Sequence, residues 1–317
     1  MSGPGGKRKV DDSTVDSMVR DLLRGAYDMH VHSAPDVVPR KVDDVQLATM
    51  ARDNGMGGLV VKCHNAATVG RAYVLQQFFP ELRIFGGIVM NNSVGGVNPE
   101  AARIALGMGA KVVWLPTVSA QNHIDASAHS EFMASIGGGS SWPGLVLVDD
   151  DGKLKPEVIE VMRLVKDAGA ILHTGNVSVR EIRPVVAEAH KMGLERMVVT
   201  HPEFHVVNMS IAEQKELTDK YGCYFERDFV SSMSPAGPCP FSEIGEAVRV
   251  VGAVRSIMAT DFGQARNDYP VEGMRLYIRT MLEYGISEKD VETMVQKNPA
   301  ELLGVSAAAS PRPVAQG

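Results

Sequence analysis

Cysteine is scarce in this chain, with three in 317 residues: Cys63, Cys223 and Cys239. Their spacing fits neither a disulfide framework nor a zinc knuckle, so burial must hold the fold and a reducing, cytoplasmic setting is expected. No apolar run approaches the ~20 residues that span a bilayer. Met1 to Lys9 is Gly-rich and basic with no apolar stretch behind it, so no secretory signal is expected. A basic surplus is missing too. Lys and Arg number 32 against 38 Asp and Glu, a formal charge of −6, which leaves no electrostatic footprint for nucleic acid or an anionic membrane. The expected partner is a small molecule. Hydrophobic residues at 44% and charged residues at 22% predict a well-buried core.

Short β-rich runs alternate with amphipathic stretches along almost the whole chain. The expected strands are 26–32, 57–64, 83–90, 111–117, 169–174, 196–201, 222–229 and 252–260. Helical patterns lie near 43–54, 67–79, 98–108, 156–168, 178–192, 210–220, 241–250 and 270–284. Asn98-Pro99 supplies a cap residue before an N1 proline, Ser178 precedes a helical pattern, and Gly55, Gly193 and Gly222 follow helices as stop signals. Strands alternating with helices imply parallel pairing, and eight such units imply closure into a (β/α)₈ TIM barrel, typically about 250 residues. One domain over 14–304 is expected, between disordered tails at 1–13 and 305–317. Two long connections, 118–155 and 229–240, follow strands and are candidate lids. The first holds Gly137-Gly138-Gly139, Trp142 and an apparent hairpin from Leu145 to Leu154. Gly86-Gly87 and Gly95-Gly96 read as turns rather than a phosphate loop.

A barrel enzyme carries its chemistry at the C-terminal ends of its strands. Strand one ends in Asp28-Met29-His30-Val31-His32, where His30 and His32 share one face. Strand two ends in Lys62-Cys63-His64. His173 ends strand five, His201 strand six and Asp261 strand eight. Each alone has an ordinary explanation, as a hydrogen-bonded core histidine or a helix-capping aspartate. Together, the ordinary explanation needs five coincidences at one end of one barrel, whereas a metal site needs one. Imidazole and carboxylate suit zinc first, with manganese, iron or nickel as alternatives.

With His-x-His on strand one, His on strands five and six, and Asp on strand eight, the chain resembles the amidohydrolase superfamily of metal-dependent barrel enzymes over roughly residues 25–304. The tail Asn298-Pro299-Ala300-Glu301-Leu302-Leu303-Gly304 adds to the likeness. The resemblance implies that His30, His32 and Asp261 hold one divalent ion and that His173 and His201 hold a second. It implies that Asp261 is also the base that orients or deprotonates the attacking water. Superfamily members with two ions usually bridge them with a carboxylated lysine or a glutamate, commonly from strand four. Strand four here, Lys111 to Thr117, ends without a ligand. Lys62 after carboxylation, or His64 as a direct ligand, are substitutes, and a substrate-anion contact or buried ion pair is an equal alternative for Lys62. One or two ions per chain therefore stay open.

Other candidates would touch substrate. Glu203 and His205 follow His201 closely and could orient a ligating imidazole. On strand seven, Tyr224, Glu226 and Asp228 share one face and Arg227 takes the other; whichever set points inward meets substrate. Arg40 is a candidate carboxylate clamp, against a plain surface charge. His123 and His129 lie in the long fourth loop. The leading expectation is a hydrolase of an amide, lactam, lactone or related C–N or C–O bond, with Asp261 shuttling the proton and Lys62 or His64 helping to stabilise the oxyanion. A non-oxidative decarboxylase with a single metal is the alternative, favoured by the missing strand-four lysine. A non-catalytic binding barrel ranks below both. Barrels commonly assemble, so a homo-oligomer is open.

Overall fold

The computed structural model describes residues 12–127, 143–233 and 238–305. Gly137-Gly138-Gly139, Trp142 and His129 of the fourth loop lie outside these residues, as do 1–11 and 306–317 of the expected tails.

Eight parallel strands follow one another in sequence order around a barrel: β1 (Tyr27–His32), β2 (Gly58–Lys62), β3 (Arg83–Val89), β4 (Val112–Trp114), β5 (Ile171–His173), β6 (Met197–Thr200), β7 (Tyr224–Asp228) and β8 (Ser256–Ala259). All eight expected strands are present, and several are shorter than the sequence suggests. β4 stops at Trp114 because Pro116 has no N–H to extend the ladder. β8 starts only at Ser256 because Ala253–Arg255 coil into a 3₁₀ turn. Gly86 and Gly87 lie within β3 rather than in a turn. A Cβ on Gly87 would stand 2.6 Å from the Trp114 ring, so the glycine makes room for the barrel's largest interior side chain.

The barrel closes between β8 and β1. Asp261 N donates to His30 O and His32 N to Phe262 O, both at 2.8 Å, and Val31 bridges Phe262 in parallel. β1 carries a register shift between Asp28 and Val31. The bulge lets Met29 and His30 both face the interior, while Val31 turns out to pack under the helices.

Outside the strands lie α1 (Asp12–Leu23), α2 (Asp44–Asp53), α3 (Val69–Phe78), α4 (Pro99–Gly107), α5 (Gln121–Ser127), α6 (Pro156–Asp167), α7 (Val179–Met192), α8 (Ile211–Tyr221), α9 (Phe241–Val251) and α10 (Pro270–Tyr284). Their starts follow the local chemistry. Asp43 and Gln46, Ser178 and Glu181, and Ser210 and Glu213 form capping boxes, and Asn98 accepts from Glu100 N and Ala101 N ahead of Pro99. α1 has no counterpart in the sequence reading; its first two residues, Asp12 and Ser13, fall in the segment read as a tail. The expected 145–154 hairpin is reduced to a single antiparallel bridge, Val148 to Leu154. After α10 come α11 (Glu288–Glu292), a π-turn (Thr293–Lys297) and α12 (Asn298–Leu303). α12 plugs the bottom of the barrel. Its Ala300, Leu302 and Leu303 join Tyr27, Ile171 and Tyr224 in one buried cluster, and Asn298 Nδ2 donates to Ala253 O and Ser256 O. No described helix is long and apolar enough to cross a membrane.

Gly263 (φ +126°) turns the chain directly over the β1–β8 seam, where a Cβ would lie 2.1 Å from His32 O. Gly263→Ala should destabilise the fold by about 2–4 kcal/mol in urea unfolding through overpacking and backbone strain. Gly107→Ala, where a Cβ meets nothing within 4 Å, is the control and should be neutral or slightly stabilising.

Candidate metal centre

The alternation along each strand brings a set of polar side chains to one mouth of the barrel. Lys62 is level with His32 in the β1–β2 register, His173 with Trp114 in β4–β5, and Glu226 with Thr200 in β6–β7. Asp261 continues the line of Ala259, beyond the end of β8. His30, His32, His173, His201, Lys62, Glu226 and Asp228 are all buried.

Three groups of donor atoms each lie within 4.8 Å of one another: His30, His32 and Asp261; His201, Asp228 and Asp261; and His30, Glu226 and Asp228. Asp261 Oδ1 stands 3.1 Å from both His30 Nε2 and His32 Nε2. His30 Nδ1 faces Glu226 Oε1 at 2.5 Å and Asp228 Oδ2 at 3.1 Å. Its Nε2 receives a hydrogen bond from Lys62 Nζ at 2.8 Å. The Lys62 ammonium thus holds a lone pair that a cation on His30 would take over. Asp261 and His201 both sit in the left-handed region, at φ +50° and +28°. For non-glycine residues this costs of order 1–3 kcal/mol and is found mainly where function over-determines the backbone.

Protonation states suit a cation. Burial, reinforced by the neighbouring Lys62, holds His30 and His173 well below their usual range, and burial with Arg40 nearby does the same for His32. Burial takes His201 down to about 4. These imidazoles are neutral and keep lone pairs. Burial drives Glu226 and Asp228 well above the carboxylate range, and the crowding of acids adds to it. Burial also raises Asp261, but the His32 contact and the attraction of Lys62 and His201 outweigh it, leaving Asp261 below its usual value. Among the described residues, His173 Nε2, His201 Nδ1 and Asp228 Oδ1 are buried without a hydrogen-bond partner. Orphaned buried donors and acceptors are costly, so a group that satisfies them is called for. A divalent cation fits this set of oxygens and imidazoles.

The second trio differs from the one that the resemblance implies. His201 groups with Asp228 and Asp261 rather than with His173. His173 Nδ1 is turned to Glu226 Oε2 at 3.2 Å and Thr200 Oγ1 at 3.4 Å, one level below the mouth. Asp228 is the ligand candidate that the sequence reading left out; its signal was parity with Glu226 on strand seven.

That parity also settles Arg227. It points outward, buried between barrel and helices, where it ion-pairs with Glu203 and bonds Gln214 Oε1 at 2.9 Å and Ser256 Oγ at 3.1 Å. The expected substrate contact by Arg227 is therefore corrected to a structural ion pair, and Glu203 serves Arg227 rather than a ligating imidazole. Glu226 lies too deep, against His30 and His173, to be mainly a substrate contact. His205 lies against Phe204 with ring centroids 4.4 Å apart and the rings tilted, and is not among the residues that line the cavity over the centre. That cavity is walled by Arg40, Lys62, His64, His123, His201 and Asp261, with Asn176, Gln264, Phe204, Val118 and Val230. Arg40 is no surface charge: its side chain is 3% exposed and paired with Asp36 at 2.6 Å.

The model of a family of unknown function (DUF6282) matches residues 25–226, and the chain belongs to that family. No curated protein sequence matches it. Among solved structures, the probable dipeptidase PvdM from Pseudomonas aeruginosa is similar with a TM-score of 0.61 at 12% identity, covering 93% of this chain and 98% of that one. An amidohydrolase from the same organism gives 0.59 at 12%, covering 91% and 98%. The 2,6-dihydroxybenzoate decarboxylase from Rhizobium gives 0.52 at 12%, covering 89% and 99%. At this identity the likeness is one of fold: this chain's barrel is built like theirs.

Removing one member of a buried ion pair strands the other charge, at a typical cost of about 3–5 kcal/mol. Glu203→Ala should lower stability by that amount in chemical unfolding, as Arg227 loses its partner.

Proposed function

We propose that this DUF6282 chain is a metal-dependent hydrolase acting on an amide, lactam, lactone or related C–N or C–O bond of a small molecule. The observation that carries the reading is the gathering of His30, His32, His201, Glu226, Asp228 and Asp261 into three overlapping groups of donor atoms, with buried ring nitrogens left unpartnered. His30, His32 and Asp261 would hold one divalent cation, zinc by ligand type, and His201 with Asp228 and Asp261 a second. Such a cation, when bound, polarises a carbonyl and brings the pKa of water to about 7.

The chain's own residues supply the rest. Asp261 turns Oδ1 to the two strand-one imidazoles, which leaves Oδ2 to take a proton from water and pass it to the leaving group. Its depressed pKa keeps it ionised and ready to accept. Glu226 holds the His30 ring through Nδ1 and fixes which nitrogen faces the mouth. Arg40, His123, Asn176 and Gln264 give the cavity a polar wall against Phe204, Val118 and Val230, suited to a small substrate with hydrogen-bonding groups on one side.

A decarboxylase is the second reading. It is favoured by Trp114, which fills the end of β4 where a bridging lysine or glutamate would stand. Metal count and product analysis separate the two: one ion with carbon dioxide release supports the lyase, and acid release without carbon dioxide supports the hydrolase.

Protein purified without chelator should carry a divalent metal by elemental analysis, and His30→Ala with His32→Ala should lose it while the far-ultraviolet circular dichroism is retained. Full metal content in that double variant would remove the basis of the reading. Asp228→Asn is the finer probe. With two ions bound it should lose about one equivalent, and with a single ion at the His30, His32 and Asp261 trio it should keep its full content.

A further inference from the structure

His64 borders the cavity with its ring 4.8 Å, centroid to centroid, from that of His32, yet it belongs to none of the donor-atom groups. Its hydrogen bonds say why. Asn91 Oδ1 accepts from Thr117 N at 2.8 Å and from Ser119 N at 3.2 Å. Those two backbone donors fix the amide's orientation, so Asn91 Nδ2 must be the donor to Thr117 Oγ1 at 2.8 Å and to His64 O at 2.9 Å. Thr117 is fully buried, and its hydroxyl has one proton to place. The acceptor in reach is His64 Nδ1, at 2.9 Å.

From this chain of donors we infer that His64 is locked as the neutral Nε2–H tautomer, a hydrogen-bond donor to an oxygen of the substrate rather than a metal ligand, with Asn91 and Thr117 as its positioning residues. Nδ1 is spent on Thr117, and Nε2 carries a proton where a ligand would need a lone pair. Nε2 has no partner among the described residues, and the ring lines the cavity beside the proposed ligands. A preorganised neutral donor next to a polarised carbonyl stabilises the oxygen as negative charge builds on it, without adding a proton to the reaction. The oxygen it meets is a carbonyl or carboxylate oxygen of the same small substrate, so the assignment deepens the hydrolase reading and rests on it for that role.

Two-bond proton–nitrogen correlation spectra of ¹⁵N-histidine-labelled protein read the tautomer directly, with His64 assigned by its loss in His64→Gln. His64 should show a protonated Nε2 and an unprotonated, hydrogen-bonded Nδ1, unchanged when zinc is added. Thr117→Ser should preserve that pattern, whereas Thr117→Val should shift the tautomer ratio by about tenfold or more, as Nδ1 loses its donor. His64→Gln should bind as much metal as the parent. An Nδ1–H tautomer, a Thr117→Val spectrum like the parent's, a zinc-induced change to a coordinated ring, or metal lost in His64→Gln would each overturn the assignment. If Thr117→Val does not fold, the spectrum of the unaltered chain still decides. Should the parent take up no metal, the hydrolase reading fails alone, because the tautomer is measured in the metal-free protein.

Discussion

The β1–β8 seam is the constraint on which the site depends. Two backbone hydrogen bonds, from Asp261 N to His30 O and from His32 N to Phe262 O, bring together residues at opposite ends of the chain. They place Asp261 between the two strand-one imidazoles before any side chain has to find its partner. The left-handed backbone at Asp261 and the glycine at 263 are what the chain gives up to turn sharply enough there. Cooperative closure of the sheet compensates for that local strain.

Charge is the second constraint. Two buried carboxylates, Glu226 and Asp228, are gathered beside Asp261, which borders the cavity, and Lys62 is a cation that attracts all three. Burying like charges at a few ångströms is unfavourable unless something positive joins them. Lys62 answers part of this by reaching His30, and a divalent ion would answer the rest. Burial that makes the acids reluctant to ionise also keeps the imidazoles neutral. A divalent ion held there would lower the free energy of both sets of groups.

Most of the barrel was legible because its signal is periodic and repeated: eight apolar runs, each followed by a capped amphipathic stretch. The strand-end residues His30, His32, His201 and Asp261 could be read because each closes a strand at the end where a barrel carries its chemistry. Parity alone does not say which face of strand seven looks inward, so it leaves Glu226 and Arg227 equally eligible. The partner of Arg227, Glu203, sits in a different loop, and no local pattern links the two. The same limit hid the Asn91–Thr117–His64 chain, whose members come from three separate strand ends. α1 escaped notice because a mostly polar helix whose buried stripe is Val15, Val19, Leu22 and Leu23 offers a weak pattern next to a Gly-rich start.

α12 caps the floor of the barrel with Ala300, Leu302 and Leu303 and is tied by Asn298 to the start of β8. The channel is thereby a cul-de-sac. Whatever arrives above the imidazoles and carboxylates must back out past Arg40, His64 and His123, the way it came in. Among the described residues, arrival and departure then share this one side of the barrel, so whatever narrows it slows both.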